Sequence, residues 1–547
     1  MYLLLAVLLL AAHAPLLRLP YFWDEAGYYI PAARDLLAGS LIPHSTPSNA
    51  HPPLVLAWIA LVWRIFGQHV IVTRCAMLFL VAFSLLGFFR LARTVSNATV
   101  AAASTLLVAI YPVFFAQSSL AQIDLPAAGL SFWALEAYFR RRRATMVVWF
   151  TLAALAKETA ILVPIALFFW KLAGVRLCSL LQDSQSRPFR GEQTALQPFV
   201  EKRWLLVPIV PLAIWYAYHY LRTGFVFGNA EFFRYNVQAT LHPLRMVLAL
   251  LLRLWQVFGY LGLYVLSIAG FLAMKYPALT GAKDFIEEKH KLKPESVADV
   301  AAPRPRIPVQ HQVAFLCIAL IYLLVLSAIG GAVLARYMLP ITPIWILICV
   351  STIWRRLRPW KAVLAIAALA FVGALFVNPP YGFSPEDNLA YRDYIRLHQR
   401  AEAYLEARYP HARVLTAWPA SDELSHRYLG YVATPLRVVR IEDFTVEQLL
   451  SAANSRSQFD VAFIFSTKYQ PPHSFFDRWR LWREWKTRYF GYHLDLTPEA
   501  AAAVLNGKVV YLDRQAGQWV GVIEMDAIQN AGKQSPQMLL SSSLEAQ

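Results

Sequence analysis

The chain has 547 residues, of which 58% are hydrophobic and only 16% are charged, and its mean hydropathy is +0.42. Because a soluble protein carries about a quarter charged residues, this composition excludes an ordinary soluble enzyme and indicates an integral membrane protein. The net charge of +17 does not indicate a nucleic-acid partner, since the basic residues form short clusters between apolar runs, as in cytoplasmic loops.

Apolar runs that could cross a bilayer predict about eleven transmembrane helices. The first run has no Lys or Arg before it and Pro15 where cleavage would occur, so we expect a retained span rather than a signal peptide. The runs lie near 1–17, 69–89, 98–117, 125–139, 145–156, 159–173, 204–221, 245–273, 312–330, 338–353 and 361–378.

The basic clusters at Arg90 and Arg93, at Arg140–Arg143 and at 354–361 should all be cytoplasmic. All three clusters are cytoplasmic only if the N-terminus is cytoplasmic and the run 53–67 does not cross the membrane. That run would then lie flat in the outer leaflet as an amphipathic helix. The topology therefore predicts an external loop at 18–68.

The region after the last predicted span, residues 379–530, is expected to be an external α/β domain, and 531–547 to be disordered. Strand-like stretches are "ARVLTAWP", "YVATPLRVVRI", "FDVAFIFST" and "KVVYLDRQAGQWVGVIEM", with a helix predicted at 388–408. Two polar linkers, 174–203 and 275–311, are predicted to be cytoplasmic. The four cysteines, at 75, 178, 317 and 349, lack metal-type spacing and are interpreted as packing residues.

Three carboxylates stand where charge is costly, close to membrane boundaries. Asp24 and Glu25 follow the first span within "YFWDEAGYY", and Asp124 precedes a span in "AQIDLPAAG". Helix capping would explain an aspartate at either place. The alternative is a site on the external face, where oxygens of Asp24 and Asp124 could also bind Mg²⁺ or Mn²⁺, beside an aromatic platform that includes Tyr28.

Cationic residues are predicted on the same face. Lys157, at the tip of a helical hairpin, either caps the hairpin or faces a phosphate. Arg336 and Tyr337 begin a span on the outside, against the positive-inside rule, so Arg336 is a candidate for holding an anionic group. His51 precedes a double proline and is either structural or functional.

In this order, "DEAGYY", "HPPL", "QIDLPAAGLSFWAL", "LAALAKETA" and "ARYMLPITP" resemble the motifs of the GT-C membrane glycosyltransferases. Over residues 1–378 the chain looks most like the bacterial aminoarabinose transferases and the protein O-mannosyltransferases. It departs from them at Ala50-His51, where relatives often carry an acidic residue and Lys, and at Glu158, where they often have Gly.

The resemblance implies a mainly α-helical GT-C fold and transfer of a sugar from a polyprenyl-phosphate donor to a lipid, glycan or protein acceptor. It also implies Asp24 as the leading catalytic carboxylate, Glu25 as its supporting neighbour and Asp124 as the second acidic position. Lys157 and Arg336 would hold the donor phosphate with Tyr337 beside it. A bacterial plasma-membrane enzyme with an external active site is therefore predicted.

The alternative function is a transporter or flippase of a lipid-linked sugar, and a receptor without turnover is a third possibility. A transporter should carry polar residues near the bilayer midplane and broken spans related by a repeat. Here the unusual charges gather at one predicted membrane face, and the sequence has no evident repeat. The inverting transferase is accordingly the preferred interpretation.

Overall fold

The computed structural model describes residues 1–182, 200–280, 303–469, 471 and 478–525. The predicted tail 531–547 and the central parts of both linkers lie outside these ranges. Within the described residues up to 376, the regular secondary structure is helical apart from an isolated antiparallel bridge between Thr280 and Pro303. The α-helices are α1 (Tyr2–His13), α2 (Ile30–Leu37), α3 (Leu54–Phe66), α4 (Val70–Val95), α5 (Ala98–Ile110), α6 (Pro112–Ser118), α7 (Asp124–Phe139), α8 (Arg143–Ala156), α9 (Leu162–Gln182), α10 (Val200–Arg203), α11 (Ile209–Thr223), α12 (Ala230–Asn236), α13 (Pro243–Phe258), α14 (Leu263–Ala273), α15 (Val309–Ala328), α16 (Thr342–Arg356) and α17 (Trp360–Phe376).

Helix α7 is the centre of this bundle and is buried along almost its whole length. It contacts both α4 and α8. A Cβ atom at Gly129 would lie 1.9 Å from the Ser84 Oγ of α4, so only glycine permits this approach of the two helices. The small residues of "DLPAAGL" therefore place the start of α7, with Asp124, firmly against its neighbours.

By length and composition, three helices in the described part of the chain could cross a membrane, or four if the bent pair α5–α6 is one span. These three are Val70–Val95, Pro243–Ala273 and Val309–Ala328, and the α5–α6 pair bends by 68°. The predicted count of about eleven is not confirmed. Several apolar runs form helices shorter than the 20 or so residues that a bilayer needs, and α3 is one of these shorter apolar helices.

The C-terminal region contains a five-stranded mixed sheet in the order β2-β1-β3-β5-β4. The inner strands β1 and β3 pair in parallel, and β5 is antiparallel to both β3 and β4. The predicted small α/β region is thus present. Its elements are α18 (Ala390–Arg408), β1 (Arg413–Ala417), α19 (Ala420–Ser425), β2 (Arg437–Ile441), α20 (Val446–Asn454), β3 (Val461–Phe465), α21 (Arg480–Phe490), α22 (Pro498–Leu505), β4 (Gly507–Gln515) and β5 (Gln518–Met525).

The loop after α1 and the C-terminal sheet share one hydrophobic core. The Tyr21 amide donates to the Leu429 carbonyl oxygen at 3.2 Å, and the Tyr431 hydroxyl donates to the Tyr21 carbonyl oxygen at 3.1 Å. A Cβ at Gly27 would lie 2.4 Å from the indole nitrogen of Trp418. The sheet region therefore packs directly on the segment that carries Asp24.

Three of the cysteines, Cys75, Cys317 and Cys349, are free thiols, and Cys349 is buried. This agrees with a packing role. Cys178 lies outside the residues whose side chains the structure describes.

Candidate active site

Asp24 immediately precedes a short π-helical turn, Glu25–Tyr29, and its side chain makes no capping hydrogen bond. Its Oδ2 instead lies 2.5 Å from Arg336 Nη2, and the Asp24 side chain remains 20% exposed. The preceding Trp23 has a φ of 46°, a strained conformation for a bulky residue. Edge-to-face contacts with the rings of Tyr394 and Trp418 hold it there.

Arg336 lies at the centre of a buried charge network. In addition to Asp24, it forms an ion pair with Glu386 through Nη1, and its Nε is 3.4 Å from Asp124 Oδ2. Burial alone would lower the pKa of Arg336, but Glu386 and Asp24 raise it well above its ordinary value. The guanidinium is therefore permanently charged and ties together segments from three distant parts of the chain.

Lys157 forms an ion pair with Asp124 Oδ1, and its ammonium lies 4.0 Å from the centre of the Tyr337 ring. Burial opposes the charge on Lys157, yet Asp124 and the neighbouring groups raise its pKa. Asp124 is in the first turn of α7, but the residue at the N-cap position is Ile123. Asp124 therefore does not cap α7, and its carboxylate instead contacts two cations, Lys157 and Arg336.

Glu25 lies apart from this network, although it is adjacent to Asp24 in sequence. Its carboxylate is fully buried and pairs with both terminal nitrogens of Arg74. It also accepts the backbone N–H groups of Phe22 at 2.8 Å and Ala121 at 2.5 Å. This geometry is that of a structural anchor, so the structure does not bring Glu25 together with Asp24 as a supporting neighbour.

His51 and Tyr28 border the network. His51 Nδ1 is 2.8 Å from Glu158 Oε2. Burial would raise the pKa of Glu158, but His51 and Lys157 bring it down to about 2. Tyr28 lies against Trp418, with ring centres 5.8 Å apart. His51 and Tyr28 both line a small pocket together with Tyr29, Asn49 and Thr46.

The predicted metal ligands Asp24 and Asp124 do not form an open metal site. Both carboxylates contact the same guanidinium, that of Arg336, which stands where a cation between them would be. The chemistry below therefore includes no step through a metal ion at these two residues.

Two acidic residues of the site escaped the sequence analysis. Glu386 accepts from Gln122 Nε2 at 3.0 Å as well as from Arg336. Asp387 accepts the Tyr260 hydroxyl at 2.6 Å, and burial with the neighbouring Glu386 raises its pKa to about 8. The signal was available in "SPEDN", an acidic pair directly after the last apolar run.

Two arginines of α13 were also missed, although an arginine inside an apolar helix is costly and points to a function. Arg253 is fully buried. Its Nε donates to the Leu326 carbonyl at 3.0 Å, whereas both terminal nitrogens have no hydrogen-bond partner among the described residues. Its guanidinium lies 5.8 Å from the Tyr337 ring centre. Arg245 donates to the carbonyls of Gly330 and Gly331 and likewise leaves Nη1 without a partner in the described chain.

Comparisons with known proteins concern the family resemblance and the fold of this chain. The family model described as dolichyl-phosphate-mannose-protein mannosyltransferase matches residues 50–184. A comparison with curated protein sequences gives no match.

Among solved structures, ArnT from Cupriavidus metallidurans bound to undecaprenyl phosphate matches with a TM-score of 0.52 and 13% identity, covering 97% of this chain and 98% of ArnT. The same protein in the apo state gives 0.46 at 14% identity, covering 94% and 97%. The Archaeoglobus fulgidus oligosaccharyltransferase in complex with Zn and sulfate gives 0.39 at 12% identity, covering 82% and 64%.

The chain thus has the fold of a helical membrane protein with a small C-terminal α/β region, and that fold is similar to the fold of ArnT. The family match and the fold together confirm the resemblance to the GT-C membrane glycosyltransferases that the sequence motifs indicated.

Proposed function

We propose that this protein transfers a sugar from a polyprenyl-phosphate donor to a lipid, glycan or protein acceptor on the extracytoplasmic side of the membrane, with inversion at the anomeric carbon. The family match and the fold support glycosyl transfer. The ArnT structure of similar fold was crystallised with undecaprenyl phosphate, which supports a donor of that chemical class. The external orientation follows from the basic clusters.

The observation that carries the proposal is the difference in exposure among the three carboxylates around Arg336. Asp24 is 20% exposed, whereas Asp124 and Glu386 are each 3% exposed. A general base must reach the proton that it removes, and Asp24 is the member of the network that an acceptor can reach. Asp124 and Glu386 then serve to fix Arg336 and Lys157.

In the proposed reaction the acceptor hydroxyl oxygen attacks the anomeric carbon while the bond from that carbon to the phosphate oxygen breaks. The hydroxyl proton passes to Asp24, and the electron pair of the broken bond leaves with the lipid phosphate. The cations of Arg336 and Lys157 lower the energy of the charge that develops on the phosphate. An acceptor that is itself a phosphate needs no base, and Asp24 would then orient it.

A donor phosphate is bound more strongly when the site also offers a cation that no carboxylate neutralises. Lys157 and Arg336 both pair with carboxylates, whereas the terminal nitrogens of Arg253 have no partner among the described residues. A phosphate beside Tyr337 would accept hydrogen bonds from Arg253, and such charge-assisted bonds are the strong ones. We therefore add Arg253 to the predicted phosphate-binding residues Lys157, Arg336 and Tyr337.

The test is a transfer assay with the full-length protein in liposomes, using polyprenyl monophosphate that carries a labelled sugar and an envelope lipid extract as acceptor. We expect labelled product from wild type and a loss of about 10²- to 10⁴-fold in Asp24→Asn, the range for a missing general base. The matched control is Glu484→Gln, an amide replacement of a carboxylate on the C-terminal region that is 53% exposed, which should keep full activity.

Wild-type rates in Asp24→Asn would remove Asp24 from the mechanism. Two results together would favour the transporter over the transferase. The protein would move intact labelled donor across the vesicle membrane when no acceptor is present, and it would form no labelled product when acceptor is added.

A further inference from the structure

A second cluster of ionisable side chains lies away from the Arg336 network, in the C-terminal region. His398 and Glu402 are one turn apart on α18 and so lie on the same helix face, and Glu423 comes from α19. All three residues are 0% exposed. A buried cluster of one imidazole and two carboxylates is costly unless its charges are compensated.

The ligand atoms of these residues converge on one point. His398 Nδ1 is 2.6 Å from Glu423 Oε2 and 3.6 Å from Glu402 Oε1. One donor atom from each residue lies within 4.8 Å of the others. Bonds of about 2.0–2.2 Å to a tetrahedral zinc ion separate its nitrogen and oxygen ligands by roughly 3.3 Å, so small side-chain shifts would suffice to seat an ion.

The cluster lacks the positive charge that it needs. No lysine or arginine of the described chain forms an ion pair with Glu402 or Glu423, and His398 supplies one positive charge at most. Both oxygens of Glu402, Oε1 of Glu423 and Nε2 of His398 are buried without a hydrogen-bond partner in the described part of the molecule. The Arg336 network places two cations among its three carboxylates, whereas the described residues place no lysine or arginine beside Glu402 and Glu423.

Aromatic rings surround the imidazole. Tyr394 stacks on His398 at 4.0 Å between ring centres, and Phe465 and Phe463 lie edge-on at 4.7 and 5.3 Å. Such a shell limits access of water and substrate to the cluster. The fourth position of a tetrahedral ion would be filled by the second carboxylate oxygen of Glu402, which is buried without a hydrogen-bond partner among the described residues. A catalytic role for the cluster is therefore not expected.

We propose that His398, Glu402 and Glu423 bind one divalent transition-metal ion, with Zn²⁺ the expected ion. A set of one imidazole and two carboxylates suits zinc and its first-row neighbours better than Ca²⁺ or Mg²⁺, which prefer oxygen ligands alone. The ion would join α18 to α19. Because α19 follows Trp418, which packs on Trp23 and Gly27, the metal would also stabilise the segment that carries Asp24.

The test uses full-length protein without a polyhistidine tag, purified in detergent without chelators. Elemental analysis should find about one zinc per chain in wild type and in the control Glu484→Gln, and at least a tenfold lower content in Glu402→Gln and Glu423→Gln. A chelator should lower the melting temperature of wild type by several degrees and leave that of Glu402→Gln unchanged, since metal binding contributes to folding free energy.

A titration with Co²⁺ uses wild-type protein alone, so its result does not depend on whether the variants fold. Co²⁺ added to chelator-treated wild type should give visible absorption bands that saturate at one ion per chain and are displaced by Zn²⁺. Wild-type protein that is free of metal, and whose melting temperature and spectrum do not respond to Zn²⁺ or Co²⁺, would overturn the proposal and leave a proton shared between the two glutamates as the explanation. Neither readout depends on sugar transfer.

Discussion

Asp24 and Glu25 are adjacent carboxylates, and each pairs with an arginine, yet they belong to two different kinds of site. Glu25 is wholly buried, and Arg74, which holds it, is 1% exposed, with both terminal nitrogens on the same carboxylate. Asp24 shares its arginine with two other acids and keeps a fifth of its side chain exposed. Two properties therefore distinguish the candidate catalytic carboxylate from the structural one. The candidate catalytic carboxylate is partly exposed, and its arginine also pairs with other acidic residues.

The Glu25–Arg74 pair gives the largest expected effect on stability. Arg74→Ala should destabilise the fold by about 3–5 kcal/mol, because it leaves a buried carboxylate without its cation. Loss of monodisperse protein after mild heating in detergent would measure this. Arg34→Ala is the control, since Arg34 makes its hydrogen bond to Gln68 at an exposed site. Equal stability of the two variants would contradict a structural role for Glu25.

The buried carboxyl group of Asp387 predicts a pH dependence of stability. Its pKa of about 8 lies above its ordinary value, so the folded state binds this proton more tightly than the unfolded state does. The contribution of Asp387 to stability is therefore largest at low pH, and this contribution falls by about 1.4 kcal/mol per pH unit as the pH rises from roughly 4 to 8.

The asparagine side chain of the Asp387→Asn variant cannot ionise, so the variant should lose the pH-dependent contribution of Asp387 to stability. Melting temperatures of wild type and variant between pH 5 and 9 should diverge up to about pH 8 and run parallel above it. Parallel curves over the whole range would show that Asp387 is ionised in the folded protein.

Arg253 tests the donor side of the proposed site. Arg253→Gln should weaken binding of polyprenyl monophosphate about tenfold, or roughly 1.4 kcal/mol. No loss of stability is expected, because Arg253 is a buried cation that pairs with no acidic residue of the described chain. Titration in lipid nanodiscs by native mass spectrometry would measure the affinity. Arg304→Gln is the control, since Arg304 donates to the Trp354 carbonyl far along the bundle. Unchanged affinity in Arg253→Gln would remove Arg253 from the phosphate site.

The smallest expected effect concerns Asp24 itself. Asp24→Asn should change the free energy of unfolding by no more than about 1 kcal/mol, the range of partly exposed ion pairs, because Arg336 retains Glu386 and Asp124. Glu25→Gln, which removes the only acidic partner of Arg74 among the described residues, should cost clearly more. Melting temperatures of the two variants in the same detergent would compare them. A larger loss in Asp24→Asn would make Asp24 a structural residue.

Much of the fold and part of the site could be predicted from the sequence. The four strand-like stretches contain all five strands, and the helix predicted at 388–408 is α18. Asp24, Asp124, Lys157, Arg336 and Tyr337 converge as expected, because each stands at a helix end on one predicted face. The number of crossings could not be predicted, since proline and glycine break apolar runs into shorter helices.

Residue partners were harder to predict than residue positions. The stretch "WDEAGYY" does not show that the side chains of Asp24 and Glu25 point in different directions. It also does not show that Glu25 pairs with Arg74, which is 49 positions away in the sequence. Glu386 reaches Arg336 only because the chain after α17 folds back on the bundle. Such pairings depend on helix rotation and loop paths, which local periodicity does not encode.

The contact between Gly27 and Trp418 has a consequence for the order of events during synthesis. The loop that carries Asp24 is made among the first residues, but its packing surface, which includes Trp418, Leu429 and Tyr431, is made nearly 400 residues later. A nascent chain therefore carries Asp24 in a loop whose packing partners in the C-terminal region have not yet been made. The segment that carries Asp24 can therefore reach the packing described above only after the C-terminal region has been made and has folded.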